Sequence, residues 1–170
     1  MKRLIKALFV SMTLVLSACT PTQKTDETVK HTIRIGTEQF TASLDSALEW
    51  NGWFTVRYGI GETLFKVEDN MEIKPWLVSN AENIGTKTWK LTLRENIKFS
   101  DGTTMDAKSV VDNLHHIAQE NARADFLKGA EYEIDGHTIT IKTVEPRATL
   151  LSDLSDPMFT MLNLASKEDK

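Results

Sequence analysis

Residues 88–114, TWKLTLRENIKFSDGTTMDAKSVVDNL, change their hydrophobic period halfway along and decide the fold class. Trp89, Leu91 and Leu93 alternate with polar residues, a pattern typical of a strand with one buried face. Beyond the turn residues SDG, apolar residues recur at helical spacing behind Asp106, which is a good helix N-cap. That stripe consists of Ala107, Val110, Val111, Leu114 and Ile117. The stretch therefore predicts a strand, a turn and an amphipathic helix.

Hairpin patterns flank this stretch on both sides. The predicted hairpins cover residues 64–77, 79–99 and 131–144. The first bends at Asp69-Asn70 and the second near Gly85, whereas in the third Asp135-Gly136 suits a type I′ turn. Two further strands, at residues 31–37 and 159–164, and a short helix at residues 148–154 complete the pattern. Mixed hairpins and helices in one unit indicate the α/β class, as a mixed α+β lobe.

An aromatic cluster lies upstream of these hairpins, in residues 48–64, LEWNGWFTVRYGIGETL. From about residue 52 its apolar residues recur at helical spacing, which predicts a helix that ends at residue 64. These residues are Trp53, Val56, Ile60 and Leu64. Gly59 and Gly61 weaken that helix, since each costs about 1 kcal/mol relative to alanine. Only 8% of the chain is aromatic, so the cluster is dense enough to be either a core or a binding surface.

The N-terminus has the layout of a secretory signal. Residues 1–18 combine a basic start, small residues at the end and an apolar run too short to span a bilayer. The sequence LSAC resembles the lipobox of bacterial lipoproteins, whose cysteine, here Cys19, is lipidated and becomes the new N-terminus. Residues 19–30 lack apolar periodicity and predict a flexible tether. The alternatives are an ordinary signal peptide with a chance cysteine and a buried N-terminal helix.

Charge and cysteine content exclude several classes of function. Processing at Cys19 would remove three of the 20 basic residues and none of the 24 acidic ones, which leaves a net charge of −7 with neutral histidines. Nucleic acid is bound mainly by neutralising phosphates with lysine and arginine, so we expect no nucleic-acid partner. Cys19 is the only cysteine, so the chain has no internal disulfide framework and no cysteine-rich metal site.

Signatures of catalysis and of metal binding are missing from the sequence. It contains no HExxH, no GxSxG, no P-loop and no GxGxxG that opens a helix after a strand. His115 and His116 are adjacent on the predicted helix and point about 100° apart, so they cannot easily chelate one ion. We therefore expect a protein that is not an enzyme and has no resident cofactor and no metal ligands of its own.

Residues 75–114 resemble the signature region of extracellular solute-binding proteins of family 5, which serve peptide/nickel ABC transporters. The matching residues are Pro75, Trp76, Leu77, Trp89, Leu93, Arg94, Lys98, Phe99, Ser100, Asp101, Gly102 and Ala107. The resemblance extends upstream through YGIGETLFKV and downstream at least to Val144. It implies a periplasmic binding protein-like fold of class II, of which residues 31–170 would form the first lobe, incompletely. The motif FSDG is expected to be scaffold that touches no ligand.

In this family the solute lies in a cleft between two lobes, and the resemblance implies which residues line it. The loop and the helix start after the first strand would contribute Glu49, Trp50, Asn51, Trp53 and Phe54. Core packing remains open for Trp53, and Arg57 would either clamp a carboxylate of the solute or form a salt bridge. Phe126 falls where nickel-chelate receptors place a ring against the ligand. Met158 falls where they present an arginine, a departure that weakens the transfer of that specificity.

The resemblance implies a substrate-binding lipoprotein of an ABC importer for peptides or nickel chelates. It would capture a solute and deliver it to the permease, as a monomer held to the cell membrane by the lipid on Cys19, in the periplasm or on the outer face. Family members are several times longer, so the chain alone is expected to bind solute weakly. Two alternatives remain open: a truncated, non-functional fragment of such a receptor, and a secreted lipoprotein enzyme, against which the lack of a catalytic constellation argues.

Overall fold

The computed structural model describes residues 34–38, 41 and 43–167. Residue contacts divide the chain into two units, Met1–Thr37 and Glu38–Lys170. The described part of the first unit, residues 34–37, is exposed and has no regular secondary structure. The strand expected at residues 31–37 is therefore wrong over its described part, because a strand exists only as a member of a hydrogen-bonded ladder. The predicted signal sequence, Cys19 and the tether lie outside the described residues.

The second unit contains short helices and antiparallel strands, which confirms the mixed α+β expectation. In chain order these are helix α1 (Asn51–Arg57), strands β1 (Phe65–Val67), β2 (Ile73–Pro75), β3 (Val78–Gly85) and β4 (Thr88–Leu93), helix α2 (Ala107–Glu120), strands β5 (Glu131–Asp135) and β6 (Thr138–Lys142), and helix α3 (Leu150–Asp153). Further 3-10 helices cover Ala122–Leu127, Pro157–Phe159 and Leu164–Lys167. Among the described residues, none of the helices combines the length and the apolar composition that a bilayer span requires.

All three predicted hairpins are confirmed. Strands β1 and β2 form one two-stranded sheet, and the other four form an antiparallel sheet in the order β3-β4-β6-β5. The first hairpin closes where the backbone N–H of Met71 donates to the carbonyl of Glu68 at 2.8 Å, around the expected Asp69-Asn70 bend. The third hairpin turns at Gly136 and His137, since Asp135 pairs with Thr138. Of these two residues only Gly136 has a positive φ, of +58°, which fits a type II′ turn, so the type I′ turn predicted at Asp135-Gly136 is wrong.

The core lies between one face of the larger sheet and the apolar stripe of α2. In β4 the side chains of Trp89, Leu91 and Leu93 are buried while Lys90 between them is exposed, as the alternation predicts. Every residue of the predicted α2 stripe is buried in the same cluster. Helix α2 begins at a capping box, in which the Asp106 carboxylate accepts from the backbone N–H of Ser109 at 2.7 Å. Such caps satisfy helix N–H groups that have no partner within the helix.

Two further predictions of secondary structure are wrong, and both concern the side of the unit that carries the aromatic cluster. Helix α1 ends at Arg57 and does not continue to residue 64, because Gly59 takes a φ of +68° and the carbonyl of Thr55 accepts from the N–H groups of Ile60 and Gly61. The strand expected at residues 159–164 is not formed. The 3-10 helix Pro157–Phe159 ends at the first of these residues, the next 3-10 helix begins at Leu164, and residues 160–163 between them belong to no strand.

The segment 160–163 is fixed mainly by side chains from other elements. The amide of Asn113 in α2 donates to the carbonyl of Leu162 at 2.8 Å and accepts from its N–H at 2.9 Å, as a neighbouring strand would. The hydroxyl of Ser46 donates to the carbonyl of Thr160 at 3.0 Å. These side-chain contacts take the place of a partner strand, so the apolar run forms no ladder.

Candidate functional site

Helix α1 buries its small residues and exposes its tryptophans. Gly52 and Thr55 are buried, whereas Trp53 is 47% exposed and Trp50, which precedes the helix, is 61% exposed. The reason is the close approach of a neighbouring segment, since a Cβ at Gly52 would lie 2.2 Å from the carbonyl oxygen of Pro157. A side chain larger than hydrogen does not fit there. The helix therefore packs on Pro157–Phe159 through glycine and presents its rings outward.

The loop that leads into α1 is held by buried polar contacts. The carboxylate of Asp45, which is buried, lies 3.0 Å from the Nε2 atom of His116 on α2, and it also accepts from the N–H of Ala47 at 3.1 Å. The carbonyl of Asp45 accepts from the side-chain amide of Asn51 at 3.1 Å. Because these contacts join the loop to both helices, they fix where Trp50 begins α1.

An arginine from another element lies over the exposed tryptophan. The guanidinium carbon of Arg123 is 5.4 Å from the centre of the Trp50 ring, a cation–π geometry. Arg123 is also paired with the carboxylate of Asp156. Asn121 connects the two sides, since its amide donates to the carbonyl of Ala47 at 2.9 Å and accepts from the N–H of Arg123 at 3.1 Å. We call the group Glu49, Trp50, Trp53, Arg123 and Asp156 the Trp50 surface.

A depression of about 570 Å³ adjoins the Trp50 surface. Its lining is Thr41, Ser43, Leu48, Glu49, Trp50, Asn51, Phe54 and Glu120. The amide oxygen of Asn51 accepts from the hydroxyl of Thr41, and the Phe54 ring lies 6.4 Å from that of Tyr58. Glu49 has a φ of +49°, a conformation uncommon for residues with a side chain and often found near binding sites. The depression thus combines aromatic walls, hydroxyl and amide groups, and two carboxylates.

Phe126 and Met158, both predicted to contact solute, are less accessible. The half-buried ring of Phe126 packs 6.0 Å from the ring of Phe159, and the guanidinium carbon of Arg147 lies 4.2 Å from its centre. Arg147 is itself held by two hydrogen bonds to Asp153, and these bonds raise the pKa of its guanidinium. Met158 is 4% exposed and belongs to the core. In this unit, neither side chain offers a solute the open face that Trp50 does.

A larger depression, of about 820 Å³, contains part of the FSDG motif in its wall. Phe99, Ser100 and Asp101 line it together with the segment 160–163. The carboxylate of Asp101 accepts from the hydroxyl of Thr103 at 2.7 Å, from the N–H of Thr103 at 2.8 Å and from the amide of Asn163 at 2.6 Å, and these bonds lower its pKa. The predicted turn is present, and the carboxylate of Asp101 links it to the segment 160–163 through the side chain of Asn163.

The structure brings together four of the predicted residues and separates the others. Glu49, Trp50, Asn51 and Phe54 share the smaller depression, and Trp53 is exposed in the first turn of α1. Arg57 is exposed at the far end of α1 and lines neither depression. Four residues of the site were not predicted: Arg123, Asp156, Asn121 and His116. For Arg123 a signal existed, since it lies three residues before Phe126 within one helical turn.

Metal ligation by the protein is not indicated in the described part of the chain. No group of three or more histidine, cysteine, aspartate or glutamate side chains is placed there so that it could hold an ion. His115 packs its ring against Tyr132 at 4.8 Å, and His116 contacts Asp45. The contact with Asp45 gives His116 a role in positioning the loop before Trp50.

Residues 72–170 match the model of a known family, described as bacterial extracellular solute-binding proteins, family 5 Middle. The match covers more than half of the chain and includes the strand–turn–helix stretch with which the fold was predicted. The chain belongs to this family. Its members are solute-binding proteins of transporters, so the resemblance seen in residues 75–114 is confirmed.

The relatives and solved structures to which the chain is similar include nickel-binding proteins by name. It is 28% identical over 115 residues to the nickel-binding protein NikA of Staphylococcus aureus, which covers 67% of this chain and 23% of that protein. A crystal structure of that protein in complex with Ni(L-His)2 matches with 26% identity and a TM-score of 0.60, over 64% of this chain and 24% of the other.

A crystal structure of a nickel ABC transporter protein from Bacillus halodurans also matches. The identity is 32% and the TM-score 0.67, over 72% of this chain and 26% of that one. The chain thus spans about a quarter of the length of the relatives it matches. The fold class predicted from the sequence, periplasmic binding protein-like of class II, is confirmed by these neighbours.

Proposed function

We propose that the chain belongs to the receptor of an ABC importer that captures a peptide or a nickel chelate outside the cytoplasm and delivers it to a membrane permease. The observation that carries the proposal is the Trp50 surface. In it Trp50, just before α1, and Trp53, within α1, are exposed, while the buried face of the helix is glycine and threonine. Membership of the solute-binding family supports it. Capture and delivery need only non-covalent contacts, so no bond of the solute is made or broken.

Physical properties of the Trp50 surface suit the capture of a small solute. Tryptophan offers a large contact area with only two side-chain torsions to freeze, so little conformational entropy is lost on binding. The turn that carries Trp50 is fixed in advance by the contacts of Asp45 with His116 and by those of Asn121. Fixing a binding surface before the ligand arrives lowers the cost of association. Of the predicted residues, Trp50, Asn51 and Phe54 therefore remain the ones proposed to contact solute first.

Nickel chelates are the first solutes to test, because several of the similar proteins are named for nickel and one was crystallised with Ni(L-His)2. Peptides remain the second class, as the resemblance implies. In either case the opposite wall of the cleft would come from a second lobe, so we propose that this chain binds with an affinity weaker than micromolar.

Equilibrium dialysis of the 170-residue chain against Ni(L-His)2, and separately against a tripeptide, tests the solute class. Trp50→Ala is expected to weaken binding at least about tenfold, the loss typical of a central aromatic contact. The control is Met71→Ala, at a residue that is 79% exposed on the tip of the β1–β2 hairpin, and it should stay within about twofold of the unchanged chain. Equal losses for the two variants, or no binding of either solute class at millimolar concentration, would contradict the proposal.

We also propose that Cys19 is the lipidated N-terminus of the mature protein, after removal of residues 1–18. Expression in a bacterial host with mass spectrometry of the mature chain tests this. The expected product starts at a diacylated Cys19 and stays with the membrane fraction, whereas Cys19→Ser accumulates as an uncleaved precursor. A mature chain that starts elsewhere, or that is found in the soluble extracytoplasmic fraction, would rule out the lipid anchor.

A further inference from the structure

The positive charge of the Trp50 surface is neutralised from within the protein. Arg123 is its arginine, and the Nη2 atom of that side chain is paired with the carboxylate of Asp156. The pair is partly shielded from water, since 45% of the Arg123 side chain and 22% of the Asp156 side chain are exposed. A solute that reaches the Trp50 ring therefore meets an ion pair of zero net charge in place of a free guanidinium.

Asp156 is held in this position by a second contact. Its other carboxylate oxygen accepts from the backbone N–H of Met158 at 3.0 Å, because Asp156 is the N-cap of the 3-10 helix Pro157–Phe159. That 3-10 helix packs directly against Gly52 of α1. The carboxylate is thus fixed to the same backbone segment that sets the position of α1, and it is already in place beside Arg123 before any solute binds.

Neighbouring charges make the surface acidic. The depression beside Trp50 is lined by two carboxylates, Glu49 and Glu120, and in the described part of the chain no lysine or arginine lines it. Arg57 lies at the last turn of α1, about 9 Å along the helix axis from its first residue at 1.5 Å of rise per residue. Carboxylates near an aromatic face attract cations and repel anions.

We propose that Asp156 determines the charge class of the solute: by neutralising Arg123 it makes the Trp50 surface select neutral or cationic solutes over anionic ones. The inference rests on the proposed solute-binding function and names the substrate class of that same surface. In chemical terms, the favoured solutes are metal complexes whose ligands leave no net negative charge, or peptides whose free ammonium group faces the carboxylates. Complexes with uncompensated carboxylates are disfavoured.

Two nickel complexes of different charge test this proposal in equilibrium dialysis of the 170-residue chain: neutral Ni(L-His)2 and dianionic Ni–EDTA. The unchanged chain should bind the neutral complex at least about tenfold more tightly at low salt. Asp156→Asn keeps an oxygen that can cap the 3-10 helix but frees the charge of Arg123. It should strengthen the binding of Ni–EDTA about tenfold, as a charge-assisted hydrogen bond allows, and change that of Ni(L-His)2 by less than about twofold.

The matched control is Asp112→Asn, which removes an equal charge from an exposed ion pair with Lys108 on α2. It should leave the ratio of the two affinities unchanged. The proposal is overturned when the unchanged chain binds Ni–EDTA as tightly as the neutral complex, or when Asp156→Asn leaves their ratio within about twofold. High salt should reduce the difference between the complexes, because it screens exposed charges.

A measurement without nickel separates failure of this inference from failure of the proposed function. Iodide, an anion, and caesium, a cation, quench the fluorescence of exposed tryptophans to an extent that depends on the local charge. The quenching at Trp50 is obtained as the difference between the unchanged chain and its Trp50→Phe variant. With Asp156→Asn the iodide quenching constant of that contribution should rise about twofold, and the caesium constant should fall. Unchanged constants overturn the inference even when both complexes bind. When neither complex binds, the proposed nickel function fails, and the quenching result alone decides whether Asp156 sets the charge.

Discussion

Helices α2 and α1 direct their large side chains in opposite ways. Helix α2 turns Val110, Leu114 and Ile117 into the core, and its exposed positions are mainly polar. Helix α1 instead packs through Gly52 and Thr55 and leaves Trp53 at the surface. Both sequences show apolar residues at helical spacing, so the same pattern has two meanings. On α2 it marks the face that stabilises the fold, and on α1 it marks an exposed face, which we propose to be the face that binds solute.

The largest effect expected from this comparison is in the core. Leu114→Ala removes a fully buried side chain from α2 and should lower the free energy of unfolding by about 2–5 kcal/mol, because the lost contacts leave a cavity. Urea unfolding followed by circular dichroism measures the change. A loss below about 1 kcal/mol would mean that α2 is not the central element of the core.

Gly52→Ala tests the opposite side, where the smallest residue is the one that packs. Alanine normally favours a helix over glycine by about 1 kcal/mol. Here its Cβ would lie 2.2 Å from the carbonyl oxygen of Pro157, so we expect a loss of about 1–3 kcal/mol from overpacking. The control is Gly85→Ala, whose Cβ would lie 3.7 Å from the hydroxyl oxygen of Thr88, and it should change stability by less than about 0.5 kcal/mol. A stabilised Gly52→Ala variant would show that α1 does not pack as closely as described.

Tyr132 places a polar hydroxyl group beside the otherwise apolar core that packs against α2. Its hydroxyl is buried without a hydrogen-bond partner among the described residues, and burial raises the pKa of the phenol from 10.0 to about 12. Tyr132→Phe removes the unsatisfied group and should stabilise the chain by about 1 kcal/mol at pH 7.

The same shift in pKa predicts a dependence of stability on pH. Because the folded-state pKa is raised, the unfolded chain ionises first, so stability is full below pH 10 and falls as the pH rises toward about 12. The expected slope there is up to about 1.4 kcal/mol per pH unit. Unfolding by urea between pH 9 and 11.5 should show this slope for the chain and a smaller one for Tyr132→Phe. Identical slopes would mean that the phenol does not titrate differently in the two states.

The smallest effects on stability are expected at the exposed tryptophans. Trp50→Ala and Trp53→Ala remove side chains that lie largely in water, so each should change the free energy of unfolding by less than about 1 kcal/mol. For Trp50→Ala, much of the expected loss in the free energy of unfolding comes from the cation–π contact with Arg123. A loss above about 2 kcal/mol in chemical unfolding would show that these rings support the fold.

The sequence was sufficient for the α2 side because local signals there agree with one another. Alternation in β4, the N-cap at Asp106 and the turn at Gly136 each fix a local conformation that the core then uses. On the α1 side such agreement is lacking. Helix α1 was predicted to be too long, because a glycine such as Gly59 weakens a helix without showing at which residue the helix ends. The buried face of α1 packs against Pro157, about a hundred residues away, so it could not be read from the local sequence.

The candidate site could be predicted only in part for the same reason. Glu49, Trp50, Asn51 and Phe54 are close in sequence, so a resemblance in one stretch found them together. Arg123, Asp156 and Asn121 reach the site from other elements. Packing between residues far apart in the sequence determines which side chains contact Trp50, so a local sequence pattern cannot predict them.

The central claim is that the outward face of α1 is the surface that meets solute, and the indole signals of the chain test it directly. The four tryptophans, labelled with nitrogen-15, give four indole N–H signals in solution NMR. Two come from the exposed rings of Trp50 and Trp53 and one from the half-buried Trp76. The fourth comes from Trp89, whose indole N–H donates a hydrogen bond to the carbonyl of Arg147. On titration with paramagnetic Ni(L-His)2, the signals of Trp50 and Trp53 should broaden first while those of Trp76 and Trp89 stay sharp. Equal broadening of all four, or broadening of Trp76 or Trp89 before Trp50, would contradict the account.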